Sequence, residues 1–238
     1  DKNMLNWVWE NTLSYVKIFK QDHHLSAVAG WSAQKESANT SLIAGNGYPN
    51  DLVHTINAAS AITNWSATAY EWSLLSALAR AQYSYKGKYM LSAAVRADGS
   101  SRLHPNHRWG VFPSFSAAWR LSSEEFMKDI DWLDDLKIRG GWGQTGNQSG
   151  LSDYAYLQRY SINRIPWFEE GNSNALPTIT QSNLRTSDLK WETTSQTNIG
   201  IDFTVLHNRL NITMDYYYKR TTDMLMNVTL PSGAAAAN

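Results

Sequence analysis

The chain has 238 residues, with 21 basic against 21 acidic side chains, no cysteine, and 11 Trp, 12 Tyr and 6 Phe. The balanced charge argues against a nucleic-acid binder, which needs a basic excess to neutralise phosphates, and the lack of cysteine removes disulfide frameworks, thiol catalysis and Cys-ligated zinc. No stretch approaches the roughly 20 consecutive apolar residues of a membrane-spanning helix. A mean hydropathy of −0.44 with 42% hydrophobic residues suits a soluble domain and equally a porin-type barrel, whose strands are apolar on one side only.

Alternation at a period of two predicts eight strands. Asn11–Lys20 turns at Gln21-Asp22-His23 into Leu25–Ala33. Tyr70–Tyr85 turns at Lys86-Gly87-Lys88 into Tyr89–Ala97. A fifth strand, Trp109–Leu121, places Trp109, Val111, Pro113, Phe115, Ala117 and Trp119 on one side, and a sixth runs Leu136–Gly143. The clearest alternation runs from Trp191 to Val205. After the turn Leu206-His207-Asn208-Arg209 it resumes with Leu210, Ile212, Met214, Tyr216 and Tyr218 on one face. Ser122 followed by Glu125 is a capping-box pattern and predicts one or two helical turns in the connection 122–135.

The connections alternate in length. Those at 21–24, 86–88 and 206–210 are short and 122–135 is moderate, whereas 34–68, 98–108 and 144–190 are long. Short turns at one end and long loops at the other are the layout of an antiparallel up-and-down transmembrane β-barrel. Tyr83, Tyr85, Tyr89, Trp119, Tyr216 and Tyr218 fall near strand ends, as rings at a membrane–water interface would. The alternative is a soluble carbohydrate-binding β-sandwich, whose core also takes Trp and Tyr but whose turns recur every 8–12 residues.

His23-His24 and His104-Pro105-Asn106-His107 fall in predicted turns and read as solvated loop histidines rather than metal ligands. Glu124-Glu125, Asp134-Asp135 and Glu169-Glu170 are neighbours that a strand points to opposite faces, so they do not form the facing pair of a glycoside hydrolase. No phosphate loop, nucleophile elbow or zinc-protease motif occurs, and neither an enzyme activity nor a cofactor or metal is expected. In Arg96-Ala97-Asp98-Gly99-Ser100-Ser101-Arg102, Arg96 is on the polar face at a strand end and Asp98-Gly99 reads as a turn with one Arg–Asp pair.

That stretch, preceded by Val95, opens a series of ordered blocks. Trp109-Gly110-Val111-Phe112-Pro113-Ser114 follows, then Ala117-Ala118-Trp119-Arg120, Leu136-Lys137-Ile138-Arg139 and Gly143-Gln144-Thr145-Gly146-Asn147. Leu189 to Gly200, Asp215-Tyr216-Tyr217 and Thr222-Asp223-Met224-Leu225 continue the order. Over about residues 70–230 the chain resembles the SusC/RagA family of TonB-linked outer-membrane transporters. Family members are several times longer, with a plug domain and a barrel of about 22 strands. The resemblance therefore implies that residues 1–238 are a partial barrel without its plug, beginning in mid-chain, which fits the absence of a signal-peptide pattern at the start.

The resemblance further implies import of large nutrients, glycans and in some members peptides, across the bacterial outer membrane. Its implied partners are a SusD-type surface lipoprotein over the extracellular loops, the TonB complex acting through the plug, the substrate and membrane lipid; nucleic acid is not among them. Trp65, Tyr154, Trp167 and Phe168 in the long connections are the candidates for stacking on substrate. Arg96, Asp98, Arg102 and Arg120 are the candidates for polar groups facing the lumen or plug.

Overall fold

In the computed structural model, residues 1–53, 55–128, 130–167, 176–183 and 186–226 are described. Antiparallel strands carry most of them: β1 (Lys2–Phe19), β2 (His23–Asn46), β3 (Ala61–Tyr85), β4 (Tyr89–Ser100), β5 (Trp109–Arg120), β6 (Leu133–Asn147), β7 (Tyr160–Trp167), β8 (Leu176–Gln181), β9 (Glu192–Val205) and β10 (Leu210–Thr222). Eight strands form one sheet in the order β1-β2-β3-β4-β5-β6-β9-β10, while β7 and β8 pair as a separate small hairpin. The sheet is open, with β1 and β10 as its two edges.

The eight predicted strands are the eight of the main sheet, with several differences in extent. β1 begins nine residues earlier than expected, and β2 and β3 continue to Asn46 and from Ala61. The connection expected at 34–68 is thus mostly strand. Asp98-Gly99 lies within β4, opposite Gly110 and Trp109, and does not turn. His23 and His24 open β2 rather than sitting in a turn. The capping box at Ser122 produces two short 3₁₀ turns, Leu121–Ser123 and Glu125–Met127, with no side-chain cap bond. Ser122 Oγ instead donates to Asp135 at 2.5 Å, leaving no cap to start an α-helix. The segment 144–190, expected as a loop, contains β7 and β8.

Register divides the strands into two faces. One face carries Leu13, Tyr15, Ala27, Ala29, Ala79, Ala81, Tyr83, Leu91, Ala93, Val95, Ala97, Val111, Phe115, Ala117, Ile138 and Ile201, each meeting another member across the ladder. The other face carries Gln82, Ser92, Arg96, Ser116, Arg139, Asn198 and Asp215. The apolar face is bare: Leu13 is 74% exposed, and Trp109 and Val111 are each 60% exposed. A patch of this extent needs a nonpolar neighbour. Between the pairs Tyr89↔Trp119 and Gly99↔Trp109 it runs roughly 33 Å along the strands, or about 25 Å in height at a tilt of ~40°, matching the apolar band of an outer-membrane barrel.

A row of rings closes this band at the short-turn end. Phe19 stacks on His23 at 4.9 Å, His23 meets Tyr85 at 4.8 Å, Tyr85 meets Tyr89 at 6.3 Å and Tyr89 meets Trp119 at 6.2 Å. Polar tips along the row are satisfied locally, as interfacial rings require. The Tyr83 hydroxyl lies 2.6 Å from His23 Nδ1. Glu124 accepts from the Tyr89 hydroxyl at 2.7 Å, from Trp119 Nε1 at 3.1 Å and from Lys88 Nζ at 3.1 Å.

Candidate functional site: the polar inner wall and its outer rim

The polar face is the functional surface of such a sheet, and an ion-pair network sits on its β6–β9–β10 side. Arg139 on β6 reaches Asp202 at 3.1 Å and Asp215 at 2.7 Å, and Lys137 also meets Asp202 at 3.0 Å. The network spans three strands because Gly200, opposite Arg139, has no side chain in the way. Nearer the turns, Arg120 pairs with Asp135 at 3.2 Å.

Arg96 and Asp98, two residues apart on β4, share this face. Arg96 Nε donates to both Asp98 oxygens at 2.8 Å and its Nη2 donates to Ser76 Oγ at 3.1 Å. The expected Arg–Asp pair is present, along a strand rather than around a turn. Arg102 lies past the end of β4, where it bonds Asp153 at 2.8 Å and sits over the Trp72 ring at 4.5 Å. All four charged candidates therefore have partners inside this chain.

At the long-loop end a small apolar knot fixes the rim. Leu103, Phe112 and Trp191 are buried together, with Leu74, Leu151 and Leu189 packed around them. Trp191 Nε1 donates to the Arg108 carbonyl at 2.8 Å, Ser100 N–H donates to the same carbonyl at 3.1 Å, and Ser100 Oγ donates to Gln148. These bonds hold the 101–108 connection and the start of the 148–191 segment against the upper ends of β3 to β5.

The aromatic candidates occupy different settings. Tyr154 is half-buried in this rim, its hydroxyl accepting from the Glu71 N–H at 3.1 Å, so it docks its segment onto β3. Trp65 lies within β3 opposite Ile43, not in a loop, on the continuation of the apolar face. Trp167 ends β7 opposite Leu176, and Phe168 lies outside the described residues. Trp65, Tyr154 and Trp167 thus belong to three different segments, β3, the rim and the end of β7. Beside Tyr154, however, the structure assembles a cleft of about 200 Å³ lined by Lys35, Glu71, Trp72, Arg108, Asp153 and Tyr156. Sequence reasoning passed over these residues, since each is unremarkable alone and their segments lie far apart in the chain. Among the described residues no group of His, Asp and Glu is arranged to hold a metal ion.

A single sheet with strands of up to 25 residues is not a sandwich. The family model for the TonB-dependent receptor-like β-barrel matches residues 3–238. The chain belongs to that family. It is 34% identical over 233 residues to the TonB-dependent receptor P39 of Formosa agariphila, covering 96% of this chain and 22% of that protein. It is 38% identical over 172 residues to the TonB-dependent receptor SusC of Bacteroides thetaiotaomicron, covering 71% of this chain and 17% of that one. The chain thus spans about a fifth of the length of these curated relatives. Among solved structures it superposes on one described as the RagAB peptide transporter with a TM-score of 0.85 at 24% identity, over 97% of this chain and 25% of that one. The siderophore receptor PirA of Pseudomonas aeruginosa matches more loosely, with a TM-score of 0.57 at 13% identity over 98% of this chain and 36% of that one. This family places the chain in the bacterial outer membrane, with the bare apolar face toward lipid and the polar face toward the barrel interior.

Proposed function

We propose that this chain is part of the wall of a TonB-dependent transporter that imports large nutrients, glycans foremost, across the outer membrane. The observation that carries the reading is its 38% identity to the receptor SusC over most of its length. Residues 1–238 supply eight barrel strands; the plug and the strands that close the barrel come from elsewhere in the same protein. The rim built by 101–108 and by the start of the 148–191 segment faces outward, where it contacts substrate and a SusD-type lipoprotein lid, and the short turns face the periplasm, where TonB draws on the plug. The wall is a conduit rather than a catalyst. Because Arg96, Arg120, Lys137 and Arg139 on the inner face are paired with carboxylates of the same wall, this part of it holds its shape as the plug moves without needing the plug's charges.

Deleting the full gene and growing the host on a panel of single glycans tests this reading. Growth should fail on one glycan or a related group, and affinity-purified transporter should bring down one surface lipoprotein. Unimpaired growth on every glycan together with failure on a peptide source would replace glycans by peptides. Retained growth on all sources would overturn uptake altogether.

A further inference from the structure

We infer that the rim cleft beside Tyr154 is a binding subsite for an acidic sugar residue, with Arg108 as the group that receives its carboxylate. The inference rests on the glycan-transport reading above and narrows it. Within the cleft each carboxylate already has a cation: Glu71 pairs with Lys35 at 3.0 Å and Asp153 with Arg102 at 2.8 Å. Arg108 is the charge left over. Among the described residues its guanidinium meets no carboxylate; Nε donates to the Leu103 carbonyl at 3.4 Å and Nη2 to the Tyr156 hydroxyl at 3.5 Å, both long. A guanidinium has five N–H donors in a planar fork, so three remain without an acceptor, in the geometry that takes a carboxylate through two parallel bonds.

Arg108 is also held in place before any ligand arrives. Its carbonyl accepts from both Ser100 N–H and Trp191 Nε1, the latter side chain being buried in the knot below. Anchoring the backbone at the root of the side chain removes part of the freedom lost on binding, which favours affinity. Aromatic side chains of Trp72, Tyr154 and Tyr156 wall the cleft, and its volume of about 200 Å³ is the scale of one sugar ring rather than of a folded partner.

The cleft suits a sugar better than a peptide. A peptide that adds to a sheet as a strand binds through unpaired strand backbone. Here the β3 backbone at the cleft is already occupied: Ser73 N–H and carbonyl bond Ser101, and Glu71 N–H bonds the Tyr154 hydroxyl. What remains on offer is side-chain chemistry. The half-exposed Glu71 and Lys35 present an acceptor and a donor to sugar hydroxyls, and Arg108 presents its fork to a ring carboxylate.

The test uses the full-length transporter in detergent, with trigalacturonate and trimannuronate, each compared with its methyl ester, and triglutamate as the peptide control. The wild type should bind at least one acid tenfold or more tightly than its ester. Arg108→Gln should reduce that ratio to less than about two, and Arg108→Lys should keep a smaller, salt-sensitive preference. Retention of the folded band before heating on gels establishes that each variant is intact, and the lysine variant serves if the glutamine one is not. Equal binding of acid and ester by the wild type, or an undiminished ratio in Arg108→Gln, overturns the subsite and leaves glycan transport standing. Binding of triglutamate with no binding of any sugar overturns both.

Discussion

Arg139 and Gly200 face each other across the β6–β9 ladder, and a β-carbon on Gly200 would lie 2.7 Å from the Arg139 guanidinium carbon and 2.6 Å from an Asp215 oxygen. The missing side chain is what lets one arginine bridge two aspartates on different strands.

Gly200→Ala should therefore destabilise the barrel by about 1–3 kcal/mol, the range for inserting a methyl group where it forces neighbours aside. The cost should vanish against an Arg139→Gln background, because residues in one network do not add. Comparing the unfolding of both single variants and the double variant in detergent checks this. Additive losses would mean that Gly200 serves the backbone and not the ion pairs.

A second expectation concerns pH. Glu124, in the connection between β5 and β6, is held at about 2 by the hydrogen bond from Tyr89, then by those from Trp119 and Lys88, against its ordinary value of 4.5. A carboxyl whose folded value is lowered gives its full stabilisation above the unfolded value and loses it as pH falls through the folded one. The stability gap between wild type and Glu124→Gln should be constant above about pH 5. It should shrink below 4.5 and be gone near 2. Denaturant midpoints of both proteins between pH 2 and pH 8 measure it, and a gap unchanged at pH 2 would show that the carboxylate is immaterial.

Neighbouring residues should respond oppositely to the same substitution. Ala93 is on the lipid-facing side of β4 and Ser92 on the interior side. A cation on the lipid face near the bilayer midplane costs about 2–4 kcal/mol, whereas one in the lumen costs little. Ala93→Lys should lower folding yield in lipid vesicles sharply and Ser92→Lys should not. Equal effects would reverse or abolish the assignment of faces.

The rim knot makes a further prediction. Phe112 is 7% exposed and meets Trp191 edge-on at 5.6 Å. Phe112→Ala should cost about 3–5 kcal/mol locally. The damage should appear as faster hydrogen exchange at Leu103, Arg108 and Leu151, with β6, β9 and β10 below Gly143 unchanged. Uniform acceleration over the sheet would show the knot to be part of one cooperative unit with it.

How much of this was legible depends on what each strand faces. Along β9, Glu192–Val205, one side meets lipid and the other the interior, so polarity alternates and the strand is read directly, whereas Trp191, which the alternation groups with Ile199 and Ile201, is buried in the rim knot against Phe112. The upper parts of β2 and β3, such as Gln34–Asn46 and Ala61–Ala69, are rich in Ser, Thr, Asn and Ala on both sides. Above the lipid neither face is distinguished, the alternation fades, and the segment reads as loop. Trp7, Val8 and Trp9 hide the first half of β1 in the same way, since three successive apolar residues carry no period. Arg96 and Asp98 could be paired from sequence because they are two apart on one strand. Arg102 with Asp153, and Arg139 with Asp215, are 51 and 76 residues apart and are joined only by sheet register and loop docking. Arg108 was invisible for a different reason: what marks it is a missing carboxylate, which no local pattern records.

β2 has 24 residues and β3 has 25, and their ladder runs without a register shift from His23↔Tyr85 to Ala44↔Asn64. At about 3.3 Å per residue this is a continuous beam of roughly 70 Å, more than twice the thickness of the hydrocarbon layer. Bending it would break several backbone hydrogen bonds at once, so it behaves as a stiff mast rooted in the membrane. A load placed on its far end is carried down the ladder to the Phe19–His23–Tyr85 rings at its foot, and anything seated on that end has a rigid mechanical reference to the short-turn end of the sheet.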